Sequence, residues 1–215
     1  MITTLGDNLR TPIVQPIFPI PIVVSQLERD YTDEERKFFA KQNSKQERNI
    51  GNTMSKNNYI LNEPELAGIK SEIEVVLKDY MDNILCPVNE DNELYITQSW
   101  MNWTRPGEWH HKHTHSNSYL SGVFYVDAEE EKDKIIFIND RYNTIKIPPK
   151  EINHFNTETW DFTTRTGLLV IFPSHLQHMV EMKAQSHKRT RISLAFNMFV
   201  RGTLGANKSL TELKL

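Results

Sequence analysis

The sequence predicts an α+β fold, mostly β: a sandwich or jelly roll with N-terminal helices buttressing one sheet. Three observations carry this. Early in the chain, apolar residues recur at three- and four-residue steps, the period of a helix face. From Leu94 the period falls to two, and short apolar runs follow one another with turn signals between them. Helices come first and strands after, which favours segregated layers over alternating βαβ units.

At 215 residues the chain suits one domain over 1–215, with 1–15 and 203–215 as extended or mobile ends. Hydrophobic residues make up 38%, enough for one sizeable core. A net charge of −3 gives no electrostatic reason to expect nucleic acid or a membrane surface. Cys86 is the only cysteine, so no intramolecular disulfide forms, which fits a reducing compartment. The first residues lack a basic segment followed by an apolar run, and no apolar run approaches the ~20 residues that span a bilayer. A soluble cytoplasmic protein is expected, and base rates favour a homodimer.

Val14 to Leu27 is apolar but broken by Pro16, Pro19 and Pro21, which reads as an edge strand or an extended arm. Thr32-Asp33-Glu34-Glu35 is a capping box, predicting a helix from there to about Gln46. Lys45 to Asn58 is polar and reads as a surface loop. A second helix is predicted with Asn62 as its cap and Pro64 in its first turn. Leu66, Ile69, Ile73, Val76, Leu77, Tyr80, Met81 and Ile84 form its apolar stripe, which should pack on a sheet. The strand from Leu94 should place Leu94, Ile96, Gln98, Trp100 and Asn102 on one face. Further strands are predicted around Trp109–His115, Leu120–Val126, Lys134–Ile138, Thr144–Ile147, Asn156–Phe162, Leu168–Phe172 and Thr190–Val200. Arg105-Pro106-Gly107, the acidic run Asp127 to Asp133, Asn139-Asp140, Pro148-Pro149 and Thr166-Gly167 separate them.

Four of the eight histidines fall within 110–115. Residues two apart on a strand share a face, so His113 and His115 can hold one metal ion between them. His111-x-His113 satisfies the same parity and is an alternative pair. The best third ligand is His178, five residues beyond the proline that ends the apolar run Leu168–Phe172. His154, His175 and His187 read as structural or surface residues. Imidazole suits iron, zinc, copper and nickel alike, so ligand type does not choose the metal. On the last long strand, Ile192, Leu194 and Phe196 form one face and Arg191, Ser193, Ala195 and Asn197 the other. If the apolar face meets the helices, Arg191 and Ser193 point into the barrel. A buried arginine there requires an anion, and its planar fork grips a carboxylate in two places.

Trp100-x-Asn102, Pro106-Gly107, His113-x-His115, Ser118-Tyr-Leu-Ser-Gly-Val-Phe-Tyr125, Phe172-Pro173-Ser174-x-Leu176-x-His178 and Arg191-x-Ser193-x-x-Phe196-Asn197 together resemble a microbial and phage family of 2-oxoglutarate/Fe(II)-dependent oxygenases. The resemblance runs from about Phe18 to Phe199. It implies a double-stranded β-helix, iron(II), 2-oxoglutarate and dioxygen. His113, His115 and His178 would bind iron, and Arg191 and Ser193 the distal carboxylate of 2-oxoglutarate. A substrate C–H bond would be hydroxylated as 2-oxoglutarate is decarboxylated to succinate. Trp100, Tyr119 and Tyr125 would shape the cavity. The chain departs from the wider superfamily at His115, where most members carry Asp or Glu, and Asp127 is a candidate substitute.

Two rival readings remain. Cupins resemble the chain in Gly107, His113-x-His115, Gly167, Pro173 and His178. However, Tyr119 and Leu120 stand where the cupin glutamate would fall, and Arg191 and Ser193 have no required role there. The other rival is a non-catalytic β-sandwich binding module. The substrate is not legible, with a protein side chain or a small polar molecule favoured on composition alone.

Overall fold

Proline lacks the N–H that a sheet ladder needs, and among the described residues pairing begins only after Pro16, Pro19 and Pro21. The computed structural model describes residues 14–130, 132–139, 147–205 and 210–215. In it, β1 (Val23–Gln26) is the edge strand of a seven-stranded sheet. The capping box forms as expected. Thr32 Oγ1 accepts from the Glu35 N–H at 3.2 Å, and Glu35 accepts from the Thr32 N–H at 2.8 Å, opening α1 (Asp33–Gln42).

Helix α1 stops before the expected Gln46, because the polar stretch after it is not a loop. It holds β2 (Gln46–Arg48) and β3 (Thr53–Ser55), an antiparallel hairpin that extends the large sheet to its other edge. Edge strands are often polar and short, which hides them from a search for alternating apolar residues. Two 3-10 turns, Ile60–Asn62 and Pro64–Leu66, then lead into α2 (Ala67–Tyr80). Asn62 is not its cap. Leu66 holds that position without a side-chain bond, while Asn62 Oδ1 accepts from Lys70 Nζ at 3.0 Å. The predicted stripe is buried at Leu66, Ile69, Ile73, Leu77, Tyr80 and Met81, and Ile84 alone ends exposed, in the π-helical turn Met81–Leu85.

The remaining strands are β4 (Glu93–Thr104), β5 (His110–His113), β6 (Leu120–Asp127), β7 (Lys134–Ile138), β8 (Thr159–Thr163), β9 (Leu168–Pro173), β10 (His178–Val180), β11 (Arg191–Arg201), β12 (Thr203–Leu204) and β13 (Leu213–Lys214). The large sheet runs β1-β9-β6-β11-β4-β3-β2, and a smaller one runs β5-β10-β7-β8. All their strand pairs are antiparallel. One core, including Ile69, Ile73, Leu77, Met101, Phe124 and Phe196, lies between the helices and the large sheet. A second, including Tyr125, Ile135, Phe137, Val170 and Phe172, lies between the two sheets. The helices therefore buttress one face of a two-sheet sandwich, as expected from the order of periods.

Three expectations change. Residues 203–215 are not simply a free end, since β12 pairs with β13. Strand β10 was not expected, and it carries His178. On β4, Asn197 of β11 pairs with Gln98 while the next residue, Met198, pairs with Ile96. Thr97 is therefore the extra residue of a β-bulge, and the alternation reverses there. Leu94 and Ile96 face the helix-side core, and so do Met101 and Trp103. Trp100 and Asn102 are released to the opposite face. The expected strand around Thr144–Ile147 and the Asn139-Asp140 turn fall largely on 140–146, outside the described residues, as does most of the expected N-terminal end.

Among the described residues, no helix is long and apolar enough to cross a membrane.

Candidate metal centre

Strands β5 and β10 pair so that His113 lies opposite His178, with ring centroids 4.3 Å apart. His113 Nδ1 is 2.7 Å from the His111 carbonyl oxygen, and His178 Nδ1 is 3.0 Å from that of Leu176. A carbonyl can only accept, so each Nδ1 carries the proton and each Nε2 keeps its lone pair. Metal-binding histidines are oriented in this way. His115 is not on the strand, as expected, but two residues past its end, where its N–H donates to the Ser174 carbonyl at 3.0 Å. Its ring nevertheless returns to the same place. His115 Nε2 is 3.3 Å from His178 Nε2, and ligand atoms of His113, His115 and His178 lie within 4.8 Å of one another. The carbonyl-fixed Nδ1 atoms and converging lone pairs fit a metal ion.

Burial sets the protonation state of this cluster. It pushes His178 down to about 3 and His115 to about 4, and it also lowers His113. Neighbouring imidazoles lower all three further. They are neutral at pH 7, as metal ligation requires.

Trp100 stacks on His115 at 5.8 Å. The Asn197 side chain hydrogen-bonds His115, and Ser121 Oγ donates to Asn197 Oδ1 at 3.2 Å. Ser121 Oγ is in turn 2.8 Å from Ser174 Oγ, which donates to Ser118 Oγ at 2.7 Å. This chain of hydroxyls behind His115 was not expected. Its members are the serines and the asparagine of the sequence motifs, so the motifs were visible but their connection was not.

Arg191 and Ser193 are both buried and line the same pocket as the three histidines, with Trp100, Asn102 and Tyr125 beside them. The bulge at Thr97 is what turns Trp100 and Asn102 inward. Arg191 Nη2 donates to Thr104 Oγ1 at 2.9 Å, while Nε is buried without a partner. No carboxylate among the described residues forms an ion pair with Arg191. A buried cation left in this state costs several kcal/mol, which an incoming anion offsets. The Asn102 Oδ1 is also buried and unpartnered. Burial raises Tyr125, keeping its phenol a neutral donor. The donor set fits a carboxylate-bearing ligand.

Two expected residues do not join the site. Tyr119 is exposed and outside the pocket, and Asp127 is held by Arg189 at the end of β6. His154 is exposed and stacks on Trp160, His175 is exposed, and His187 is half-buried. His110 lines the pocket, and His111 stands beside His113.

Residues 98–197 match a family model described as "Putative 2OG-Fe(II) oxygenase". Over that stretch, just under half of its length, the chain is similar to the 2OG-Fe(II) oxygenase family. The match begins on β4 and ends on β11, so it spans all five residues expected to hold metal and 2-oxoglutarate. The match supports an oxidoreductase that uses iron(II) and 2-oxoglutarate. Solved structures share its fold, a double-stranded β-helix. HygX from Streptomyces hygroscopicus, with nickel, 2-oxoglutarate and hygromycin B bound, is 12% identical with a TM-score of 0.56, covering 83% of this chain and 82% of its own. A Pseudomonas putida prolyl-4-hydroxylase is 13% identical with a TM-score of 0.54, covering 83% and 92%. The 2-oxoglutarate-dependent epimerase SnoN of nogalamycin biosynthesis is 12% identical with a TM-score of 0.55, covering 83% and 78%. No curated protein matches the chain in sequence.

Proposed function

We propose that this oxygenase is a hydroxylase in which His113, His115 and His178 hold iron(II) while Arg191 and Ser193 hold the distal carboxylate of 2-oxoglutarate. The observation that carries this is Arg191: a buried guanidinium with an orphaned Nε and no carboxylate partner among the described residues, in the pocket that the three imidazoles also line. A cupin has no use for such a group. A binding module would have no reason to bury a cation beside converging lone pairs.

Bound iron(II) and 2-oxoglutarate supply an oxidant from dioxygen, with succinate and carbon dioxide as products. The chain's own part is positional. The His111 and Leu176 carbonyls fix the tautomers of His113 and His178, and Asn197 and Trp100 hold His115. Arg191 offers an anchoring cation, Ser193 a hydroxyl beside it, and Tyr125 and Asn102 line the same pocket. Three neutral imidazoles leave the full charge of a divalent ion, where a carboxylate would cancel part of it. That favours a dianionic co-substrate and weakens the hold on the ion itself.

The substrate is of the protein side-chain or small polar class. A cytoplasmic setting is supported by the single cysteine. The test is iron(II)-dependent conversion of 2-oxoglutarate to succinate, coupled to gain of one oxygen atom by a candidate substrate. Succinate formation with an isomerised or cyclised product would retain the oxygenase site and remove the hydroxylase assignment.

A further inference from the structure

His113 belongs to two clusters. Besides His115 and His178, it stands with His110 and His111, and ligand atoms of His110, His111 and His113 also lie within 4.8 Å of one another. The pairing of β5 with β10 explains how. His178 pairs with His113 and Val180 with His110, so β5 takes three steps where β10 takes two. The irregularity turns His110 to the side of His113, and their rings stack at 4.7 Å and 12°. His111 lies 4.7 Å from His113 and 5.1 Å from His110 by ring centroid.

This outer cluster has unmatched polar atoms. His111 Nδ1 is buried and has no hydrogen-bond partner. Asn52, 4% exposed, has its Nδ2 at 3.4 Å from His110 Nδ1, while its Oδ1 is buried without a partner. A half-turn of that amide presents Oδ1 to an Nδ1–H of His110 and frees His110 Nε2. An acceptor on the far ring nitrogen is what a metal-bound imidazole uses to set its tautomer. A given set of imidazole donors holds Zn(II) and Cu(II) more tightly than iron(II), in the outer cluster as in the inner one, so a borderline ion such as Zn(II) is the natural probe of the outer cluster.

We propose that His110, His111 and His113, backed by Asn52, form a second site for a borderline divalent cation that competes with the His113–His115–His178 site. The competition is geometric. His113 Nδ1 is committed to the His111 carbonyl, so its one remaining lone pair serves one ion at a time. A zinc ion on the outer cluster leaves the inner one with two ligands, which makes zinc an inhibitor acting through His113. The competition rests on the inner-site reading above, whereas the outer site does not.

The test uses the metal-free full chain and Zn(II), with bound metal counted after equilibrium dialysis and folding checked by circular dichroism. His178→Ala and, separately, His115→Ala disable the inner site. Each is expected to retain one Zn(II) per chain and to lose it when combined with His111→Ala. Asn52→Ala in either background is expected to weaken zinc by about 10–100-fold. The wild-type chain should hold one tightly bound ion, not two. If both inner-site variants bind no zinc while His111→Ala still binds one ion, the outer site is refuted and the inner one stands. If His111→Ala alone binds none while the inner-site variants keep their ion, the inner reading and the competition fall and the outer site stands. Two tightly bound ions in the wild type would refute the sharing of His113.

Discussion

His113 and His178 face each other across two paired strands, and each donates its Nδ1–H to the carbonyl two residues before it, His111 for one and Leu176 for the other. The same local device thus orients both histidines from adjacent strands of the small sheet. It leaves two Nε2 lone pairs converging before any metal arrives, and His115 completes the set from a turn. Because His178 comes from a distant part of the chain, no neighbour can take its place. His178→Ala should lower affinity for iron(II) in the iron–2-oxoglutarate complex by more than the roughly 10–100-fold that loss of an outer hydrogen-bond partner costs. Titration followed by the absorbance of that complex measures this, and wild-type affinity would demote His178.

Arg191 is the proposed anion partner, and its hydrogen bond goes to Thr104, not to a histidine. Arg191→Ala should leave iron(II) binding intact and weaken 2-oxoglutarate by about 1.5–3 kcal/mol, the worth of a hydrogen bond to a charged group. That is roughly 10- to 150-fold in a dissociation constant. Calorimetry on the iron-loaded variant checks it, and unchanged affinity would remove the anchor.

The histidine cluster makes the metal-free fold acid-sensitive. Burial holds His178 at about 3 and His115 at about 4, against an ordinary value of 6.5. Between those values the unfolded chain binds more protons than the folded one. Stability therefore falls as pH drops below 6.5 and the loss levels off near the folded values, at up to about 1.4 kcal/mol per pH unit for each histidine. Urea midpoints of metal-free protein should drop between about pH 7 and about pH 5. An equal midpoint at both would contradict the burial of neutral imidazoles.

Gly122 sits on β6 opposite Phe196 of β11. A Cβ built there would lie 2.3 Å from Phe196 Cζ, and Phe196 is fully buried. Gly122→Ala should cost about 1–3 kcal/mol, as overpacking does. Denaturant unfolding would register it, and a neutral result would mean that the Phe196 ring has room to move.

Much of this was legible in the residues. The faces of β11 alternate without interruption from Arg191 to Asn197, so parity alone places Arg191 and Ser193 opposite the helix-side residues Ile192, Leu194 and Phe196. The stripe on α2 was equally plain. Parity failed on β4, because a bulge at Thr97 adds one residue to the strand with no compositional mark. It failed at His115 for a different reason, since periodicity does not say where a strand stops. The β2–β3 hairpin was hidden by its polarity, and β10 by its length of three residues. The hydroxyl chain from Ser118 to Asn197 joins three separate motifs, and only the folded sheet brings them together.

The most direct test of the central claim is an anaerobic titration of metal-free protein with iron(II) and then 2-oxoglutarate, followed by visible absorbance. A charge-transfer band that appears only when both are present, and that needs His113, His115 and His178, is the result expected here. Iron(II) binding with no spectral response to 2-oxoglutarate would contradict the account and return the site to a cupin-like metal centre.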